Sequence, residues 1–167
     1  NSRPRSYREL PLRLSEFGHV HRHELSGALH GLMRVRSFTQ DDAHIICSMD
    51  QIENEIISIM NSIDKMSKKT GLETGSICIS TRPEKASGNE DLWERAIKML
   101  VDALNKENRV FEIKEGDGAF YGPKLEFKLL DALGREWQCG TVQIDFFQPI
   151  NFDLEYIDSD QSRKKPV

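Results

Sequence analysis

Two stripes of apolar residues at helical spacing, parted by one strand-length run, limit what this chain can fold into. In the first stripe Ile52, Ile56, Ile59, Met60, Ile63 and Met66 recur every three or four positions, the period that lines one face of an α-helix. Asp50 with Glu53 has the capping-box spacing, Lys68 and Lys69 suit the negative C-terminal end, and Gly71 suits the stop. The spacing therefore predicts a helix over residues 50–69. The second stripe is Trp93, Ala96, Ile97, Leu100, Val101 and Leu104, with Asn89 as cap and Glu90 and Asp91 in the first turn. Between them residues 76–81 read as a strand and 82–88 as a loop. After them come a short strand at 110–113 and a glycine-rich turn at 116–123. Residues 124–130 alternate Lys124, Glu126 and Lys128 against Leu125, Phe127 and Leu129, the mark of a half-buried strand. Ala132, Leu133 and Gly134 turn the chain into a long strand at 136–147, and 152–156 reads as one more short strand. Residues 1–8 read as an irregular lead-in and 158–167 as a frayed polar tail. Helices with one apolar face need a sheet to cover, so the order predicts an α+β domain with a largely antiparallel sheet flanked by two helices.

Ahead of the helices, residues 20–47 read as strand, loop, strand. Residues 20–24 form the first arm, and Ser26, Gly27 and Gly31 interrupt both periodicities. In the second arm, alternation places Arg34, Arg36, Phe38, Gln40, Asp42 and His44 on one face, with Val35, Thr39, Ala43, Ile45 and Cys47 on the other. Two guanidiniums, a ring, an amide, a carboxylate and an imidazole in a row suit a ligand that is anionic at one end and flat elsewhere.

The chain has 167 residues, the size of one domain. Hydrophobic content is 38% and mean hydropathy is −0.54, as in a soluble globular protein. No apolar run approaches a membrane span, and no leader pattern is present. The net charge of −4 argues against a stand-alone nucleic-acid binder. Cys47, Cys78 and Cys139 are widely spaced without a CxxC, which suits a reducing compartment. The expected setting is cytoplasmic, an organellar one remaining open. No Walker or dinucleotide fingerprint occurs.

His19, His21 and His23 alternate and could line a strand face, either as metal ligands or, with better warrant, as a solvated or RNA-facing row. Arg22 and Glu24 share parity: Arg22 could grip a phosphate and a carboxylate, or the two could form a cross-strand pair. Phe38 could stack on a purine or pack. In GAFYGPK, residues 118–124, regular parity opposes Tyr121 and Lys124, so the Gly-Pro break must redirect one if they share a site. In WQCGTVQIDF, residues 137–146, Cys139, Thr141, Gln143 and Asp145 share a face, and Gly140 could mark a bulge that brings Gln138 round to it.

The blocks SYRELPLR (6–13), RHELSGALHGLMRVRSFTQDDAH (22–44), STRPEK (80–85) and GDGAFYGPKLEF through WQCGTVQIDF (116–146) resemble the threonyl-tRNA synthetases. The 20–47 stretch resembles motif 2 of the class II aminoacyl-tRNA synthetases. The resemblance implies a class II antiparallel sheet and an enzyme that activates threonine with ATP and Mg²⁺ as the adenylate, then transfers it to tRNA(Thr). It implies that Arg22 holds the α-phosphate and the threonine carboxylate, Glu24 the adenine amino group and Arg34 the outer phosphates, with Phe38 stacked on adenine. Gln138, Thr141 and Gln143 resemble ATP and substrate contacts. Asp42 would accept from the threonine hydroxyl, Tyr121 would hold the amino group, Gln40 would lie beside the carboxylate and Lys124 near the reacting groups. His44 matches one of three ligands of a Zn²⁺ that binds threonine. His23 stands where an asparagine is more usual. By this resemblance the chain is one partial catalytic domain, 1–167. The sequence lacks the dimer-forming motif 1, motif 3 and two zinc ligands, so the expectation is a fragment without zinc and with little activity of its own. The complete enzyme would be a homodimer. Competing readings are a prolyl or seryl synthetase, or a non-catalytic module that binds RNA or protein.

Overall fold

The computed structural model describes residues 3–167. In chain order its elements are β1 (Arg5–Ser6), β2 (Leu12–His21), β3 (Ser37–Ile46), α1 (Ile52–Thr70), β4 (Glu73–Ser80), α2 (Glu90–Lys106), β5 (Glu112–Lys114), β6 (Lys124–Leu130), β7 (Glu136–Gln143), α3 (Phe147–Asn151), β8 (Tyr156–Ile157) and β9 (Arg163–Lys164). The central sheet runs β5-β4-β6-β7, with β4 and β5 parallel and the other pairs antiparallel. One face carries Ile77, Ile79, Leu125 and Phe127. These pack against Ile52, Ile56 and Met60 of α1 and Ala96, Leu100, Ala103 and Leu104 of α2. Each large aliphatic side chain buried there contributes roughly 1.5–3 kcal/mol, so the two stripes and the alternating strand cohere as one core. The expected α+β architecture is present. No helix among the described residues is long and apolar enough to cross a membrane.

Helix ends follow the expected chemistry with one shift. Asn89 accepts from the Leu92 N–H at 3.0 Å, and Gly71 closes α1 at a left-handed φ of 71°. The capping box that starts α1 is Ser48 with Gln51, not Asp50 with Glu53, because a 3-10 turn over Met49–Gln51 precedes the helix. At the chain ends the expectations fail. Residues 1 and 2 lie outside the described residues, but Arg5–Ser6 is a strand paired with β8, and Ser6 caps a 3-10 turn over Tyr7–Glu9. The tail is not frayed: β9 pairs with β8, and Val167 exchanges both backbone hydrogen bonds with Cys47 at 2.9 and 2.8 Å. Polarity marked these segments as loose, but their backbone groups found partners far away in sequence.

β4 carries an irregularity between Thr74 and Ile77, where its register against β6 shifts. The Glu136 carboxylate fills the gap. It accepts from the Ser76 N–H at 2.7 Å and the Ser76 hydroxyl at 3.0 Å, and pairs with Lys128 at 2.7 Å. These partners, Lys128 first, hold the Glu136 carboxyl down at about 2. A depressed carboxylate stabilises the fold above its unfolded value, about 4.3, and that contribution is lost as pH falls toward its folded value. Thermal melts between pH 2 and 6 are therefore expected to show a shallower acid decline in Glu136→Gln than in the wild type.

The β2–β3 hairpin pairs from Leu12↔Ile46 to His21↔Ser37 and shares no strand ladder with the central sheet. It is tied down at both ends. At its base Arg13 donates from Nε and Nη2 to both oxygens of Glu55 on α1, at 2.7 and 2.6 Å. At its tip the His30 ring stacks on Trp137 of β7, 5.8 Å between centroids. In place of the expected short first arm, residues 20–24, stands a ten-residue strand that begins at Leu12 and ends at His21.

Candidate functional site

Three groups of polar side chains carry the residues singled out in the sequence, two on the hairpin and one on the central sheet. The first is one face of β3. Phe38, Gln40, Asp42 and His44 share it, opposite Val20, Gly18, Glu16 and Leu14 of β2. The face is open to solvent at Asp42 and His44 and half-buried at Phe38 and Gln40.

The second group is the mouth of the hairpin. Here the sequence expectation needs correction. β3 starts at Ser37 and β2 stops at His21. Arg34 and Arg36 therefore do not continue the β3 face, and Arg22 and Glu24 do not share a strand face. Glu24 pairs with Arg34 instead, whose Nε and Nη2 donate to one carboxylate oxygen at 3.2 and 3.1 Å. Arg36 turns back to the Glu24 carbonyl at 3.0 Å and the Ser26 hydroxyl at 3.3 Å. Arg22 lies over the Phe38 ring, 5.9 Å from its centroid. The loop thus brings Arg22, Glu24, Arg34 and Phe38 together through contacts that alternation does not describe.

The third group is the polar face of the central sheet. Three cross-strand pairs stand in line: Lys124↔Gln143, Glu126↔Thr141 and Lys128↔Gln138. The register skips Cys139 between Phe127↔Gly140 and Lys128↔Gln138. This bulge puts Gln138 on the same face as Thr141 and Gln143, the rotation expected near Gly140. Gly122 and Pro123 turn Tyr121 so that its hydroxyl donates to Gln143 Oε1, beside Lys124. The anticipated redirection at this break occurs. β7 is shorter than expected. Asp145 is off the strand and caps α3, accepting from the Phe147 and Gln148 N–H groups at 2.8 and 2.9 Å.

Glu126 is the residue that sequence reasoning passed over. It is 3% exposed, a buried carboxylate on a strand face expected to be solvated. Lys124 lies 2.8 Å away and Lys114 of β5 3.7 Å. Burial pushes its carboxyl up, but the two ammonium groups, Lys124 first, outweigh that and hold it below the usual range. The one sequence signal was the acid flanked by bases in Lys124, Glu126 and Lys128.

The histidines on the far side of the hairpin bond locally. His19 lies 3.0 Å from the Ser37 hydroxyl and 3.4 Å from that of Thr39, and meets His21 edge-on at 4.7 Å. Among the described residues no three His, Cys, Asp or Glu side chains cluster to hold a metal ion. Cys47, near His44 in sequence, is buried, and burial pushes its thiol up to about 11, away from the thiolate a metal needs. The donor set among the described residues does not amount to a zinc site.

A family model described as tRNA synthetase class II core domain (G, H, P, S and T) matches residues 1–167. The chain belongs to this family. Among curated relatives, the threonine--tRNA ligase of Nautilia profundicola is 56% identical over 163 residues, and that of Oleidesulfovibrio alaskensis 57% over 166. These alignments take in 98% and 99% of this chain but 26% of each relative, so the chain spans about a quarter of their length. Among solved structures, the RNA binding domain of threonyl-tRNA synthetase from Cryptosporidium parvum Iowa II superposes with a TM-score of 0.93 at 45% identity, covering 98% of this chain and 41% of that one. A putative threonyl-tRNA synthetase, ThrRS-1, from Aeropyrum pernix superposes with a TM-score of 0.75 at 36% identity over 87% of this chain and 35% of that one. The class II core family accounts for the antiparallel hairpin and the helix-backed sheet together.

Proposed function

We propose that this class II core chain forms part of the ATP- and threonine-binding centre of an enzyme that activates threonine as its adenylate and transfers it to tRNA(Thr). The observation that carries this reading is the run of Phe38, Gln40, Asp42 and His44 along one face of β3, beside a mouth where Arg22, Glu24 and Arg34 converge. Phe38 offers a flat face to the adenine ring and Glu24 an acceptor to its amino group. Arg22 can make two parallel bonds to the α-phosphate and the threonine carboxylate as carboxylate oxygen attacks phosphorus. Arg34 and a Mg²⁺ ion carried by ATP neutralise the leaving pyrophosphate. Nothing in this set acts as nucleophile, so the chemistry is positioning plus charge stabilisation.

Asp42 supplies specificity. An acceptor aimed at the threonine hydroxyl is left unpaired when valine enters, and a polar site discriminates by such a loss where an apolar pocket of the same shape does not. Gln40 then lies beside the carboxylate, while Tyr121 and Gln143 face the amino group and Lys124 the reacting atoms. Gln138 and Thr141 line the nucleotide side.

The test replaces the aligned quarter of the Oleidesulfovibrio alaskensis ligase, 57% identical, with this chain. Pyrophosphate exchange into ATP is then measured with threonine, serine, valine or proline. Exchange that depends on threonine, with valine at least about 10²-fold lower, is the expected result. A soluble chimaera that prefers another amino acid, or exchanges none, contradicts the reading.

A further inference from the structure

The buried carboxylate of Glu126 has two cations within reach, and one of them is committed elsewhere if Lys124 faces the reacting groups. On the polar face of the central sheet Lys114, Ser80, Lys124 and Gln143 form one row across β5, β4, β6 and β7. Glu112, Cys78, Glu126 and Thr141 form the next. The β4 members of both rows, Ser80 and Cys78, are small and fully buried. They leave a trough between β5 and β6 that a lysine stem can cross. Lys114 does cross it, diagonally, toward Glu126 at 3.7 Å, while Lys124 already bonds Glu126 at 2.8 Å on its own strand. The other charged groups on this face are engaged or stand further off: Lys128 with Glu136, and Glu112 on the far side of Cys78.

We propose that Lys114 is the stand-by counter-ion of Glu126, which takes over the carboxylate when Lys124 turns to a substrate anion. The proposal rests on the reading of Lys124 as a group that meets the substrate. A buried carboxylate that loses its one partner is strongly destabilising, because its charge is left uncompensated in a poor dielectric. Lys124 could then leave Glu126 only at great cost. A second ammonium, already within an ångström of hydrogen-bond range, removes that obstacle. It also leaves the ammonium of Lys124 without an acid partner when it turns away, free to meet an anion, while Lys128 stays paired with Glu136. Lys114 is thus a positioning residue that acts through Glu126.

The test uses this chain without ligand, so its outcome does not depend on whether threonine is the substrate. Lys124→Met imitates the departure of Lys124, and the Glu126 carboxyl carbon is followed by NMR through an acid titration. In Lys114→Met and in Lys124→Met, Glu126 is expected to titrate at or below the ordinary carboxylate value of about 4.3. In the double variant only the Ser80 hydroxyl still opposes burial, and the titration should move above the ordinary carboxylate value. Lys114→Arg in the Lys124→Met background should keep the low value. The proposal is overturned if Lys124→Met alone shifts Glu126 as far as the double variant does. It is equally overturned if Lys124→Met unfolds the chain while Lys114→Met does not.

Discussion

Replacing Gly122 with alanine is expected to lower the melting temperature by roughly 6–12 °C, the equivalent of about 3 kcal/mol or more in a domain of this size. A Cβ built at Gly122 lies 1.8 Å from the Ile144 carbonyl oxygen and 3.0 Å from its carbon. Both are backbone atoms just past the end of β7, and Ile144 is buried in the core. No rotamer change relieves the clash, so either the Gly-Pro turn or the strand must move. Gly118 is similarly confined, with a Cβ placed 2.4 Å from the Thr81 carbonyl oxygen. Gly118 and Gly122 therefore serve close backbone approach, whereas Gly116 of the same turn has open space around it and supplies a left-handed φ of 74°. Gly27, where a Cβ meets nothing within 4 Å, is the control: Gly27→Ala should change stability little. Equal melting temperatures for Gly27→Ala and Gly122→Ala would refute the packing account. Because Tyr121 adjoins this turn, displacement of the turn should also break its bond to Gln143 and weaken substrate binding in the chimaera.

Arg22→Ala is expected to reduce threonine-dependent exchange by about 10²–10³-fold, the usual cost of losing a charge-stabilising donor at a reacting centre. Stability should be unaffected. Arg22 is exposed, and its approach to Phe38 is a 5.9 Å surface contact. Arg22→Lys should recover only part of the loss, since one ammonium cannot offer the two parallel donors of a guanidinium. The readouts are exchange rate and melting temperature for each variant. A fall in both would assign Arg22 to the fold rather than to the reaction.

Much of the framework was legible from local pattern. The stripes of α1 and α2, the Asn89 cap, the Gly71 stop and the alternation of β6 are written in residues at most a few positions apart, and the structure keeps them except at Met66, which is exposed while Ser67 beside it is buried. The bulge that rotates Gln138 was legible too, because glycine in a strand has few other uses. The mouth of the hairpin was not. Alternation carried Arg34 and Arg36 onto the β3 face, yet the strands end at His21↔Ser37; beyond them Arg36 keeps one backbone bond, from the Arg22 N–H at 2.8 Å, and Arg34 bridges to His30 within the loop. There the side chains follow available partners rather than strand parity, and Arg34 goes to Glu24. Likewise Asp145 leaves the strand because the N–H groups of α3 need an acceptor.

What the chain's own pattern settled was the elements, the core-facing stripes and the kinds of side chain on each strand face, since burial follows a period of two or 3.6 residues. What waited for the third dimension was contact between segments remote in sequence. Examples are Val167 on Cys47, Arg13 on Glu55, His30 on Trp137 and, for the chemistry proposed here, Lys114 and Lys124 around Glu126. The reach of Lys114 to that glutamate crosses two small residues of the strand between, Cys78 and Ser80. No local period encodes which strand lies alongside, and it is that neighbour which turns an ordinary alternating lysine and glutamate into a charged device.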